Sequence, residues 1–442
     1  MSDDARTTSD SKAPEVAGAV AGAGSGAGAG AAAGGDSTTG TRKAWRMETP
    51  PEFQRSPDEV RHALAEFSVY LSERTRHHLG YPYNLKFDTG ALSPFLQYSI
   101  NNLGDPFVES NYGVHSRKFE IEVLNFFADL WRIPRDEYWG YTTTCGTEGN
   151  LLGVLYGREK LPDATLFCSR DTHYSVPKAA MMYRIPLVFV DSQETGEVDY
   201  ADLLAKLKAH NGGQAIVTFN AGTTVKGAVD CVDTVIETIH AAGISRENFY
   251  VHCDGALAGL IIPFVENCDT RYEVSFEKEI DSVSVSGHKM LGCPMPCGVV
   301  LTRKEHMEKF KRDVEYLNSR DTTIMGSRNG QAPVAMWYAL QVKGVEGMRA
   351  DVEDCIENAK FLTKLFSDAG VKAHLNKLST TVVFERPSSE EVVSRWQLAC
   401  AGDIAHVVVM PSATRGKLKE FFRDYMAARK TAAAAAAATA DE

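Results

Sequence analysis

Between residues 138 and 302, short apolar runs with the character of strands alternate with helical or turn-rich segments. The runs lie at 164–169, 185–190, 215–220, 249–254, 280–286 and 298–302. This alternation is typical of a mainly parallel sheet that is covered by helices on both faces. Ligands of such sheets bind at the carboxyl ends of the strands. The polar motifs that follow these runs are therefore the first candidates for a functional site.

The stretch 280–298, IDSVSVSGHKMLGCPMPCG, places a lysine just beyond one of these strands. Val283 and Val285 alternate with serines at the period of a strand, and the pattern stops at Gly287. Lys289 follows in a segment whose glycines and prolines exclude a regular helix. A lysine displayed there suits Schiff-base chemistry with an aldehyde cofactor, although an isolated lysine is usually just solvated. Three further motifs favour the chemical interpretation.

The sequence TTTCGTEGN at 142–150 combines small hydroxyl residues with the start of a predicted helix. The helix is expected to begin near Thr147, with Gly146 leading into it. Backbone N–H groups exposed at a helix start, with threonine hydroxyls beside them, form a cradle for phosphate. An ordinary capped helix start has the same pattern, so this motif alone does not distinguish the two.

His173 lies in the motif DTHYSVPKA, 171–179, directly after the run at 164–169. It is expected to project from a loop at the strand end over the central crevice. A flat imidazole in that place can stack on a planar heteroaromatic ring and form a hydrogen bond to a substrate. Taken alone, the motif is more typical of a histidine in a surface loop.

The motif FYVHCDGALAG, 249–259, ends an apolar strand with an acid. Burial of Asp254 at that strand tip is costly unless a cation pairs with its carboxylate, and a protonated pyridine nitrogen is such a cation. The pair keeps a pyridoxal ring able to accept electrons. Ala256 is small enough to let the ring lie flat. Thr223, in NAGTTVKGAVD, belongs to another Gly-Thr-Thr turn at a strand end.

In this order, the motifs resemble those of the group II pyridoxal-phosphate-dependent decarboxylases. The most specific segments are CGTEGN, DTHYSV, HCDGALAGL, SVSGHKMLGCPMPCGV, TIMGSRNG and WQLACAGDIAHVVVMP. The resemblance covers about residues 75–430 and is strongest to the plant-type serine decarboxylases, which are similar to bacterial histidine decarboxylases. It implies the fold-type I architecture, with a mainly parallel seven-stranded central sheet, helices on both faces and a small α/β C-terminal domain.

The resemblance also implies a role for each motif residue. Lys289 becomes the residue that binds pyridoxal 5'-phosphate covalently, and Asp254 becomes the partner of its ring nitrogen. His173 becomes the ring-stacking residue, which also faces the substrate. The other expected cofactor contacts are Gly146, Thr147, Thr223, Ala256, Ser286, His288 and Ser327. No metal site is expected.

Enzymes of this fold type have their active sites at a dimer interface, and the resemblance implies a homodimer here, with a higher oligomer built from such dimers as the alternative. Ser327 and Arg328, in TIMGSRNG, are then expected to reach the partner subunit's site. Residues 312–330 are expected to form a mobile loop over that site, with Tyr316 as a catalytic proton donor.

The implied reaction is the decarboxylation of L-serine to ethanolamine and carbon dioxide through a quinonoid intermediate. Histidine decarboxylation to histamine is the alternative, and an aromatic amino-acid decarboxylase or an aldehyde synthase would share the same residues. A non-catalytic homologue would typically lack the lysine or the aspartate, and both are present. Thr89 and Pro177 depart from the family pattern near segments that shape the substrate pocket. The sequence leaves open whether Arg328 or Arg415 holds the substrate carboxylate, as an arginine does in aminotransferases.

The composition limits the partners and the location of the protein. A net charge of −11 argues against binding to nucleic acid or to an anionic membrane. No window approaches the roughly 18 unbroken apolar residues that a membrane span needs. The nine cysteines are an odd number in a long chain, which is typical of reduced thiols inside the cell. A cytoplasmic location is therefore expected, with an organelle address in the N-terminal tail as the minority interpretation.

By composition and pattern, the chain divides into five segments. A disordered tail rich in Ala, Gly and Ser is expected at 1–45, followed by a helical or extended segment at 46–95. The large cofactor-binding domain is expected at 96–330 and the small C-terminal domain at 331–430. An alanine-rich second tail, helical at most as a fraying extension, is expected at 431–442.

Overall fold

The central element is a mixed sheet in which most neighbouring strands are parallel. A computed structural model describes residues 54–440, with side chains through residue 436, so the tail expected at 1–45 lies outside the described residues. Within these limits, the sheet consists of β1 (Tyr138–Thr143), β2 (Thr165–Ser169), β3 (Leu187–Val190), β4 (Ala215–Asn220), β5 (Phe249–Asp254), β6 (Ser282–Ser286) and β7 (Gly298–Arg303). The strand order is β1-β7-β6-β5-β4-β2-β3.

Only β7 runs against its neighbours in this sheet, since it pairs antiparallel with both β1 and β6. The pairs β6–β5, β5–β4, β4–β2 and β2–β3 are parallel. The predicted mainly parallel sheet is thus confirmed. The edge strand β1 was not among the predicted runs, because its sequence YWGYTT leads directly into the motif that we interpreted as a phosphate turn.

Helices cover the sheet and connect its parallel strands. Within the described residues, the α-helices of the chain as a whole are α1 (Pro57–Arg76), α2 (Arg117–Leu130), α3 (Gly146–Lys160), α4 (Ser175–Tyr183), α5 (Tyr200–Ala209), α6 (Val232–Ala241), α7 (Gln331–Asp368), α8 (Glu390–Trp396) and α9 (Arg415–Ala440). One face of α2 supplies Val123 and Phe127 to the main core, where they are fully buried together with Val283 of β6. Burial of each such side chain contributes about 1.5–3 kcal/mol.

Helix α1 begins with a complete capping box, yet none of its residues is buried. The Ser56 hydroxyl accepts a hydrogen bond from the Glu59 N–H, and the Glu59 carboxylate accepts one from the Ser56 N–H in return. The sequence of the helix therefore favours its start, and Val60, Leu64 and Leu71 on the helix remain exposed in the part of the chain that the structure describes.

Smaller sheets follow the central one. A two-stranded hairpin consists of β8 (Arg312–Val314) and β9 (Ser319–Asp321). A four-stranded antiparallel sheet consists of β10 (Ala373–Leu375), β11 (Thr381–Glu385), β12 (Ala399–Ala401) and β13 (Ile404–Val408), in the order β10-β11-β13-β12. This sheet has its own core, and it lies in the segment assigned to the C-terminal domain.

Two segments differ from the expectation, and one helix is bent. Residues 312–330, expected to be a loop, contain the β8–β9 hairpin. Helix α7 bends at Gly344, where φ is +61° and only glycine is unstrained. The tail expected at 431–442 continues α9 as far as Ala440, because an alanine run has the highest helix propensity. None of the helices in the described part is long and apolar enough to cross a membrane.

Candidate active site

A cavity of about 360 Å³ opens where β4, β5 and β6 end at their carboxyl sides. Among its lining residues are nine of the residues that the sequence marked for the cofactor site: Gly146, Thr147, His173, Thr223, Asp254, Ala256, Ser286, His288 and Lys289. They come from segments far apart in the chain, and the parallel sheet brings them to one edge.

Lys289 lies in a loop whose backbone is tied at several points. The Gly287 N–H donates to the Cys297 carbonyl over 2.9 Å, and the Cys293 N–H donates to the Gly287 carbonyl over 3.1 Å. The Lys289 carbonyl accepts from the Asn84 N–H over 3.1 Å. Burial lowers the pKa of the Lys289 amine, while the charge of Asp254 opposes that shift. A larger share of the amine is therefore neutral and able to act as a nucleophile.

Asp254 lies at the tip of β5 and is buried. Its Oδ2 atom accepts a hydrogen bond from Asn150 Nδ2 over 2.7 Å, and its Oδ1 atom accepts one from the Ala256 N–H over 3.1 Å. Donors on both oxygens favour the charged form of a carboxylate. A carboxyl group that lines a cavity and has these partners suits a cationic group of a ligand.

His173 lies between β2 and α4 and is half-buried at the cavity wall. Its Nδ1 atom lies 2.7 Å from the Ser175 hydroxyl and accepts from the Ser175 N–H over 3.2 Å. The ring packs against that of Tyr174, with centroids 4.1 Å apart. Burial lowers the pKa of His173, so the neutral imidazole is favoured at physiological pH.

The start of α3 closes another side of the cavity. The helix begins at Gly146, and no side chain caps its first N–H groups, so they are available to an anion. A Cβ atom at Gly146 would lie 2.7 Å from the Ser286 hydroxyl, so a glycine is needed for this close approach. The His288 Nδ1 atom lies 2.8 Å from the Cys297 carbonyl, which fixes the ring at the cavity edge.

These features fit pyridoxal phosphate. A poorly solvated amine suits its aldehyde, a buried aspartate suits its ring nitrogen, and a helix start with adjacent hydroxyls suits its phosphate. Among the described residues, no group of His, Cys, Asp and Glu side chains has the arrangement of a metal site.

Two other predicted residues lie away from this cavity. The Tyr316 side chain is 82% exposed in the segment after β8. The Ser327 hydroxyl accepts a hydrogen bond from Asn101 Nδ2 over 3.2 Å. Neither residue lines the cavity of its own chain, so their roles toward a partner subunit stay predictions.

Arg328 does not have the position that we expected. Its guanidinium is buried, forms an ion pair with Glu120 and lies over the ring of Tyr141, 5.2 Å from the centroid. An arginine held in this way inside its own subunit cannot extend into a partner's site. Arg415, the other candidate for a carboxylate clamp, lies at the start of α9. Its guanidinium donates to Asn358 Oδ1 of α7, and it does not line the cavity.

Several lining residues were not predicted from the sequence. Tyr81 and Tyr83 stack with their ring centroids 6.3 Å apart, in the segment 46–95, to which the sequence assigned no site residue. His406 reaches the cavity wall from β13 of the C-terminal sheet. Asn150 lies in α3, one turn beyond the glycine of the phosphate motif. The two tyrosines on either side of Pro82 were the sequence signal that could have indicated part of the cavity lining.

Comparison with known proteins identifies related sequences and folds. The sequence model described as "Pyridoxal-dependent decarboxylase conserved domain" matches residues 89–385. Serine decarboxylase 1 of Oryza sativa subsp. japonica is 57% identical over 83% of this chain and 76% of its own length. Histidine decarboxylase of Solanum lycopersicum is 46% identical over 87% of this chain and 92% of its own length.

A solved structure shows the same fold. L-methionine decarboxylase from Streptomyces sp. 590 superposes with a TM-score of 0.77 and 25% identity, over 85% of this chain and 96% of the other. The fold-type I architecture expected from the sequence is thereby confirmed.

Proposed function

The chain belongs to the pyridoxal-dependent decarboxylase family, and on this premise we propose that it decarboxylates L-serine to ethanolamine and carbon dioxide. The observation that carries the choice of substrate is the identity of 57% to a protein named serine decarboxylase. Two further serine decarboxylases of the same organism are each 48% identical. Histidine is the alternative substrate, and it is supported by the lower identity of 46% to the histidine decarboxylase of Solanum lycopersicum.

Pyridoxal phosphate, when bound, withdraws electrons from the bond between Cα and the carboxylate of the amino acid. Lys289 would hold its aldehyde, and Asp254 would balance the charge of its ring nitrogen. His173 would lie against the ring. The N–H groups at Gly146 and the hydroxyl of Ser286 would hold the phosphate, which has the charge that a helix start favours.

The charge pattern of the cavity suits the loss of carbon dioxide. Among the described residues that line it, none is an arginine, and both Arg328 and Arg415 lie elsewhere. A carboxylate that is not clamped by a guanidinium is less stabilised before the reaction than a clamped one. The energy barrier for converting this carboxylate to neutral carbon dioxide is then not increased by tight binding of the substrate before the reaction. This supports decarboxylation over amino-group transfer.

After carbon dioxide leaves, Cα must receive a proton. Lys289 and His173 both line the cavity, and each can carry a proton at a side-chain nitrogen. Tyr316, the donor expected from the resemblance, would have to come from a partner subunit, since its side chain is exposed on its own.

We propose further that the protein is a homodimer. Val60, Leu64 and Leu71 on α1 are 43%, 62% and 45% exposed, although they have the spacing of a buried helix face. Leu96 and Tyr98 are also exposed, at 70% and 60%. A second copy that covers these side chains would remove them from water. All nine cysteines are free thiols in the described region, which supports a location in the reducing cytoplasm.

The test is a product assay on the purified protein loaded with pyridoxal phosphate. L-serine and L-histidine are supplied separately, while carbon dioxide and the amine are measured, and Lys289→Ala protein serves as the blank. Ethanolamine from serine, with much less histamine from histidine, is the expected result. Histamine as the main product would contradict the serine assignment. Release of ammonia and peroxide would instead identify an aldehyde synthase.

A further inference from the structure

A buried asparagine joins the two polar residues that flank the cavity. We propose that Asn150 and Ser175 are positioning residues that connect Asp254 to His173 and hold His173 as the neutral tautomer with its proton on Nε2. The inference deepens the proposed function, because it concerns the same cofactor site. It rests on hydrogen bonds whose donors and acceptors can be assigned without ambiguity.

The side-chain amide of Asn150 has four partners, and their chemistry fixes its orientation. Nδ2 donates to Asp254 Oδ2 over 2.7 Å and to the Ser175 hydroxyl over 2.9 Å. Oδ1 accepts from the Ser284 hydroxyl over 2.6 Å and from His252 Nε2 over 3.0 Å. A flipped amide would place its oxygen against the Asp254 carboxylate, which can only accept. Asn150 therefore presents its N–H groups toward Asp254 and Ser175.

Ser175 connects Asn150 to His173 by hydrogen bonds and determines which nitrogen of His173 carries the proton. Its hydroxyl oxygen accepts from Asn150, so its own proton is free to point at His173 Nδ1, 2.7 Å away. The Ser175 N–H also points at Nδ1, over 3.2 Å, and a backbone N–H can only donate. Nδ1 must therefore carry a lone pair. The proton of the neutral ring lies on Nε2, on the other side of the imidazole.

The network continues on the far side of Asn150. Burial lowers the pKa of His252 to about 4, so this ring is neutral. Because its Nε2 atom donates to Asn150, its Nδ1 atom accepts from the Ser282 hydroxyl over 2.8 Å. That hydroxyl in turn accepts from the Tyr250 hydroxyl over 2.8 Å. Donors thus point in one direction from Tyr250 to Asp254, and bonds in such a chain strengthen one another.

This arrangement has two consequences for the cofactor. The carboxylate of Asp254 receives a donor that favours its charged form, which is the form that pairs with a protonated ring nitrogen. Burial is the main cause that lowers the pKa of His173; the charge of Asp254 raises it, whereas those of Lys289 and Lys178 lower it further. A neutral His173 can lie against the cofactor ring and still donate from Nε2.

The test is nitrogen-15 NMR of the cofactor-loaded protein with labelled histidine, with the His173 signals identified by their loss in His173→Gln. In the wild type we expect a protonated Nε2 and an unprotonated Nδ1 at His173. Asn150→Ala, which removes no direct contact of His173, should shift the Nδ1 signal, and Ser175→Ala should shift it further. The kcat of Asn150→Ala should fall about tenfold to a hundredfold, because a hydrogen bond to a charged group is lost.

Asn102→Ala is the matched control. Asn102 is also fully buried and hydrogen-bonded, to Glu120 and Ser116, but it does not line the cavity. It should leave the His173 signals unchanged. A proton on Nδ1 or on both nitrogens in the wild type would overturn the proposal, and so would unchanged His173 signals in Asn150→Ala. If that variant does not fold, the same criterion applies to Ser175→Ala.

The NMR result does not depend on turnover. A wild type with the expected tautomer that fails to release ethanolamine would refute the serine assignment and leave the positioning role intact. Serine turnover with the wrong tautomer would refute the positioning role alone.

Discussion

Replacing Gly146 by alanine should weaken the binding of pyridoxal phosphate without unfolding the protein. The new Cβ atom would lie 2.7 Å from the Ser286 hydroxyl and 3.5 Å from Ala256 Cβ. The first distance is too short for two non-bonded atoms, so the hydroxyl must turn away from the cavity or the start of α3 must move. Overpacking of this kind costs about 1–3 kcal/mol. Since each 1.4 kcal/mol is a factor of ten, the dissociation constant should rise about fivefold to 150-fold.

The assay is a titration of the cofactor-free protein with pyridoxal phosphate, followed by its visible absorbance. Gly347→Ala is the control, because a Cβ atom there would meet only Lys343 Cβ, at an ordinary distance of 3.4 Å. That variant should bind the cofactor as the wild type does. Unchanged affinity in Gly146→Ala would refute the assignment of the phosphate to the cleft between Gly146 and Ser286.

Three further predictions follow from the structure. Arg328→Met should lower the free energy of unfolding by about 3–5 kcal/mol in a denaturant titration, because it leaves the Glu120 carboxylate buried without its cation; wild-type stability would contradict this. Burial raises the pKa of Glu120, but the charge of Arg328 and its hydrogen bond lower it more, so the net shift is downward. The stabilisation by the ion pair is therefore present at neutral pH and is lost as the pH falls through the lowered pKa of Glu120. Arg328→Met should lack this loss of stability in acid. Asp254→Asn should retain cofactor absorbance and lose about a hundredfold or more in kcat, whereas near-normal turnover would exclude the ring-nitrogen role. Leu64→Glu should shift the protein from dimer to monomer in sedimentation, and the exposed Lys364→Glu should not.

The elements that the sequence predicted well are those with a strong local pattern. β4 and β5 were predicted at their observed bounds, because buried parallel strands are short, continuous apolar runs between turns. Asp254 was found because it ends such a run, and His173 and Lys289 because each lies a few residues beyond one. Parallel topology then requires that they meet at one edge of the sheet, as the cavity shows.

The features that were missed depend on contacts distant in sequence. Arg328 pairs with Glu120, which is 208 positions away, and nothing near either residue indicates this partner. His406 reaches the cavity from a separate sheet. Asn150 was included in a phosphate motif, since the sequence gives no sign that its side chain would meet Asp254, which is 104 positions along the chain.

The central claim is that Lys289 holds the cofactor, and reduction with borohydride followed by peptide mass spectrometry tests it most directly. The reagent converts a lysine–cofactor linkage to a stable amine, so the modified residue can be identified after proteolysis. We predict a pyridoxyl-phosphate adduct on the peptide that contains Lys289 and its absence in Lys289→Ala. An adduct on another lysine, or an unmodified Lys289 in protein that shows cofactor absorbance, would contradict the account.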